Sequence, residues 1–193
     1  MSNTIIEDGT GKGFLTKVDS TNKLEVHSVA QSEREEAVAE GKGFEIGALP
    51  ITFTGTTETA MIFVKNNGPT LVLDIWEFSG AESTGGTSEV CLLTLYQGVT
   101  SVTNGTAGGA VNALFGSSKQ LSVDVETGNG STTAIVGGTT FGASYIRYCG
   151  QANFVGPWVI PTGQTIALTV TPPASNTSMP LGVRIRCHLK RED

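Results

Sequence analysis

Alternation of apolar and polar side chains with period two is the dominant pattern in this chain. It is clearest near the C-terminal end. Val183, Ile185, Cys187 and Leu189 fall on one face of an extended segment, and Arg184, Arg186, His188 and Lys190 fall on the other, as in a half-buried β-strand. The same rule sets Leu121, Val123 and Val125 against Ser122, Asp124 and Glu126. It also sets Ile166, Leu168 and Val170 against Thr165, Ala167, Thr169 and Thr171. Further strands are expected at residues 51–54, 60–65, 71–78, 90–97, 145–149, 157–160 and 182–189, parted by turn-rich stretches at 66–69 and 80–87. That pattern, with one short helical segment, predicts an all-β fold, an antiparallel β-sandwich. Residues 98–119 and 127–143, rich in Gly, Ser and Thr, are expected as long exposed connections, and connections of that length favour a jelly roll.

Charge then divides the chain into an N-terminal arm, residues 1–43, and a sandwich body, residues 44–193. Residues 1–45 hold nine of the 18 acidic and five of the 12 basic side chains, whereas residues 90–145 contain only Lys119, Asp124 and Glu126. Within the arm, residues 14–18 and 23–29 are expected to form a hairpin about a turn at 19–22. Ser32 to Glu35 fits a capping box, followed by a short helix through Glu40 that Gly41 ends. Such a short helix, with Val38 and two alanines as its apolar residues, needs another surface to lie on. The body and a neighbouring subunit both qualify.

The 193 residues suit one domain with an appendage. Charged residues are 16% of the chain and glycines number 25, which favours strands and turns over helices. A net charge of −6 argues against nucleic acid as a partner, since phosphate binding requires a basic patch. No apolar run is long enough for a helix to span a bilayer, so no membrane partner is expected. Residues 1–8 carry neither the basic nor the apolar region of a secretion signal, so cytoplasmic synthesis is expected. Cys91, Cys149 and Cys187 lie in apolar, strand-like runs and read as reduced core thiols. The Asn-x-Ser/Thr triplets at Asn104, Asn129 and Asn176 read as products of a Ser/Thr-rich composition.

The sequence offers little chemistry. Gly9 to Gly13 lacks the spacing and the Ser or Thr of a phosphate loop. The stretch from Asp19 fails as a calcium loop, with Leu24 and Ala30 where Gly and Glu belong. There is no Gly-x-Ser-x-Gly elbow, and His27 and His188 read as surface residues. Of the carboxylate pairs, Asp124 and Glu126 share an outer strand face, and Asp74 and Glu77 are expected on opposite faces. Trp76, Trp158, Tyr96, Tyr145 and Tyr148 read as core or interface aromatics, with sugar stacking the other use for such rings. No catalytic, cofactor-binding or metal-binding residue is expected, and the chain does not read as an enzyme. The basic stripe Arg184, Arg186, His188, Lys190 and Arg191 fits two roles, guarding a strand edge against promiscuous pairing or docking an acidic neighbour.

The leading stretches Asp8-Gly9-Thr10-Gly11, Lys17-Val18-Asp19 and Asn22-Lys23-Leu24-Glu25-Val26 resemble the leaders of structural proteins of tailed-bacteriophage virions. The body is similar to them at Phe63-Val64-Lys65-Asn66-Asn67 and Trp158-Val159-Ile160-Pro161-Thr162-Gly163-Gln164. The resemblance covers most of the chain. It implies a jelly-roll decoration (cement) protein that binds the outside of the shell built by the major capsid protein, often as a homotrimer. No catalytic residue is carried over. The other reading is a carbohydrate- or receptor-binding module of a tail fibre or spike.

Overall fold

A computed structural model describes residues 5–6, 14–15, 32–80, 90–147, 151–174 and 178–190. The chain divides into two compact units, residues 1–32 and 33–193. In the first, β1 (Ile5–Ile6) pairs antiparallel with β2 (Phe14–Leu15), Ile5 opposite Leu15 and Ile6 opposite Phe14. The rest of the expected 14–29 hairpin lies outside the described residues. The second unit opens with α1 (Glu33–Ala39), so the helix assigned to the arm stands with the sandwich. Ser32 occupies the position just before it, and Gly41 lies just beyond its end.

Eleven strands follow in the described residues: β3 (Gly43–Phe53), β4 (Thr59–Asn66), β5 (Leu71–Gly80), β6 (Val90–Thr103), β7 (Thr106–Ala107), β8 (Gly109–Asn112), β9 (Val123–Thr127), β10 (Ala134–Arg147), β11 (Gln151–Ile160), β12 (Thr165–Thr171) and β13 (Met179–Leu189). They form one sheet in the order β10-β6-β12-β4-β9-β7 and another in the order β11-β5-β13-β3-β8. Every pairing is antiparallel. The expected all-β sandwich is what the chain forms. Its eight long strands nest, β6 with β10, β5 with β11, β4 with β12 and β3 with β13.

The core lies between the sheets. Phe44, Ile46, Trp76 and Phe78 from one sheet and Ile62, Leu93, Leu95 and Leu168 from the other are among its fully buried side chains. Burying each of these contributes roughly 1.5–3 kcal/mol. Cys91 and Cys187 are buried in the core, as expected, and Cys149 lies outside the described residues. Ala167 and Thr169, expected to face away from the core, are also buried. On that outer face Phe63, Val99 and Ala167 form a second small cluster with Tyr96 packed against it.

Two expected loops are strands. Residues 98–119 hold the second half of β6 together with β7 and β8, and residues 127–143 hold most of β10. Residues 136–141 of β10 are exposed throughout. A strand with neither face buried carries no alternation for the sequence to display.

Candidate functional site

The outer face of the five-stranded sheet carries a ladder of charge. Alternation along β13 sends Arg184, Arg186 and His188 outward. The neighbouring β5 departs from strict alternation: Arg186 pairs with Ile75 but Cys187 pairs with Leu73, so Asp74 is an extra, bulged residue. On the other side of β5, Val155 faces Ile75 and Trp158 faces Leu73, leaving Gly156 and Pro157 as additional residues of β11. Gly156 runs so close to β5 that a Cβ there would sit 2.2 Å from the Leu73 carbonyl oxygen. A bulge re-aims a side chain. Asp74 and Glu77 therefore share the outer face, contrary to the opposite faces expected of them.

Glu77 takes both arginines: Arg184 donates from Nε at 2.7 Å, and Arg186 Nη2 lies 2.9 Å from Oε1. Glu45 of β3 adds a looser contact to Arg186 Nε at 3.8 Å. Arg184 is exposed and the other three side chains are half-buried, so solvent still screens these pairs and each is worth about 1 kcal/mol or less. The two roles expected of the stripe change accordingly. β13 lies inside its sheet between β5 and β3, so it guards no edge, and Arg184 and Arg186 already hold acidic partners within the chain. Lys190 is exposed, and Arg191 lies outside the described residues.

His188 stands apart from the rest of the stripe. Expected at the surface, it is 2% exposed. Its Nδ1 lies 3.0 Å from Asp74 Oδ2, and α1 contributes Arg34, whose Nε is 3.3 Å from the same oxygen. On the other side of the ring, Nε2 lies 3.7 Å from Glu33 Oε1 and has no hydrogen-bond partner. The hydrogen bond to Asp74 raises the imidazole above its ordinary range. Burial opposes the rise, and the charges of Asp74 and Glu33 add to it. A paired Asp and His invite a search for a nucleophile. The adjacent Cys187 points the opposite way, into the core, with Sγ 3.6 Å from the Phe44 carbonyl oxygen, and burial raises its pKa far from the thiolate range. No cluster of His, Cys, Asp and Glu suited to a metal occurs among the described residues. Asp74 and His188 both face the first turn of α1, through Arg34 and Glu33.

A second surface is defined by exposed hydrophobic side chains. β10 and β11 are the edge strands of the two sheets on the same side of the sandwich. Val155 is 69% and Tyr145 68% exposed, with Val159, Val136 and Phe141 also well exposed. Between the two strands a groove of about 450 Å³ is lined by Gln97, Phe141, Trp158, Pro161, Gln164 and Thr165 among others. The Phe141 and Trp158 rings meet edge-on at 6.3 Å. On the opposite side, where β7 and β8 are the edges, Val111 is exposed, and beyond β8 Phe115 is 100% exposed.

Of the other aromatics singled out in the sequence, Trp76 is in the core and Tyr96 donates to Glu58 at 2.8 Å. Tyr148 lies outside the described residues, as do Gly9 to Gly13, Asp19 to Ala30 and His27. Asp124 and Glu126 sit on β9, opposite Lys65 and Phe63 of β4. Sequence reasoning missed the partnership of Glu33, Arg34 and Asp74 with His188, whose members come from three separate elements. Its one local signal was Gly156-Pro157, which marks a break in the strand beside Asp74. Compared with protein-family models, with curated proteins and with solved structures, the chain matches none.

Proposed function

We propose that this protein is a bacteriophage capsid decoration protein, a jelly-roll subunit that assembles with copies of itself and coats the outer shell built by the major capsid protein. The observation that carries the reading is the rim of β10 and β11, where Tyr145, Val155 and Val159 lie exposed on strands that no other strand among the described residues pairs on that side. Long apolar edges left open invite another chain, and interface centres are depleted in charge and enriched in aromatics. The jelly-roll assignment is supported by strand order. With the eight long strands numbered consecutively, the sheets run 6-3-8-1 and 5-4-7-2, as when one long hairpin is rolled up on itself. The two open sides of the sandwich differ, one a groove and the other a projecting Phe115. The contact between copies is therefore heterologous, and where the rotation between copies closes, such contacts form rings, a homotrimer in this reading.

The test has two arms. Wild-type protein should sediment as a trimer and rebind capsids stripped of it in many copies per shell. Val155→Glu should sediment as a monomer and bind at much lower occupancy, because a carboxylate cannot be buried there unpaired. A wild-type protein that stays monomeric and leaves stripped capsids bare refutes the proposal. One observation favours a second reading, the carbohydrate- or receptor-binding module. Gln97 and Gln164 set amides beside the rings of Phe141 and Trp158 in one groove, a combination suited to a neutral sugar. Glycan binding lost on Trp158→Ala, without any change in sedimentation, would select that reading.

A further inference from the structure

We propose that Asp74, His188, Glu33 and Arg34 form a protonation-dependent clasp. It fixes the first turn of α1 to the five-stranded sheet. The inference stands independently of any role on a capsid.

The geometry distinguishes the two forms of the ring. A neutral imidazole has one N–H. With Nδ1 donating to Asp74 at 3.0 Å, Nε2 would turn a lone pair towards the Glu33 carboxylate 3.7 Å away, a repulsive contact at a buried atom with no other partner. The protonated ring donates to Asp74 and turns a second N–H and its positive charge towards Glu33. Charge follows the same logic. Glu33 and Asp74 balance Arg34 and protonated His188; once the ring is neutral, an uncompensated negative charge remains under a helix turn that also carries Glu35 and Glu36. The nearby described cations are already engaged or turned to solvent. Arg186 contacts Glu77 and Glu45, Lys42 pairs with Glu40 at 2.7 Å, and Lys190 is exposed.

The C-terminal end of the helix is held separately, by Lys119 Nζ donating to the Glu40 carbonyl at 2.6 Å and by Val38 against Gly43, so the clasp acts on its first turn. Because the folded-state pKa of His188 is raised above the ordinary 6.5, the clasp is fully present below that value and is lost as pH rises through the higher, folded value. Glu33 is partly solvated, which keeps the effect to local opening rather than global unfolding.

Amide exchange by NMR on the full chain, corrected for the intrinsic pH dependence of exchange, tests this. Protection at residues 35–40 should fall about fivefold as pH rises from mildly acidic to mildly basic, in line with a solvent-screened ion pair, while amides in the middle of β13 hold steady. His188→Gln should abolish that pH dependence. Glu33→Gln, at an exposed position that leaves the sheet intact, should shrink the fall and lower the His188 ring titration midpoint, and it decides the matter alone if His188→Gln does not fold. Constant wild-type protection while the His188 ring titrates would overturn the proposal, as would an undiminished fall in Glu33→Gln.

Discussion

Asn66 shows how much a single polar side chain contributes to holding this sandwich closed. It is fully buried, and its amide nitrogen donates to the carbonyls of Pro69 at 2.8 Å and Ile160 at 2.9 Å. Its side-chain oxygen accepts from the Gly68 amide at 3.0 Å. One side chain thus ties the β4–β5 turn to the end of β11. Asn66→Ala leaves buried carbonyls unpaired and should cost roughly 2–3 kcal/mol, read as a lower urea midpoint at unchanged slope. Asn66→Asp should cost more, because a carboxylate turns an acceptor towards two carbonyls; equal stability of both variants with wild type would refute this account. The sequence shows Asn66-Asn67-Gly68-Pro69 as a turn and nothing beyond it, because the Ile160 carbonyl is distant along the chain. His188 was misread for a similar reason. Alternation correctly sends it to the outer face of β13, but whether an outer face meets water depends on what lies over it, and the helix over it lies nearly the whole body away in sequence.

Among the elements, α1 and the edge strands separate what was legible from what was not. The helix start and stop were readable from Ser32 and Gly41, since caps are local. Its seat was not. β3 passes beneath it at Gly43, where an added Cβ would lie 2.3 Å from Val38 Cγ2. Gly43→Ala should therefore displace the helix, cost about 1–3 kcal/mol and speed amide exchange at residues 35–40 at every pH; unchanged exchange would show that the helix accommodates the methyl. Because α1 belongs to the same compact unit as the sandwich, removing residues 1–43 exposes His188 and the sheet face and should lower the thermal midpoint clearly below that of a chain lacking only residues 1–31. Equal midpoints for the two truncations would contradict this. Strands with a buried face, such as β12 and β13, announced themselves by alternation. β10 did not, because both of its faces are largely open and its run of Gly and Thr satisfies hydrogen bonding along the backbone without filling any core.

For the whole molecule, composition and period were enough for the sandwich, because many short apolar runs with few charges have one efficient way to bury themselves. The pairing order could not be read, since each long strand finds its partner far away in sequence. Nor could the rim, where hydrophobic residues that look like core in the sequence, Val155 and Val159 among them, face outward. Under the head-to-tail contact proposed above, the unlike open sides give each subunit a direction, with an entering end and a receiving end. A subunit carrying Val155→Glu can then still join through Phe115 but offers nothing to its successor, so it acts as a terminator. In a pool made half of such subunits, only about one-eighth of three-membered rings would escape having one. Poisoning would thus run well ahead of the dose.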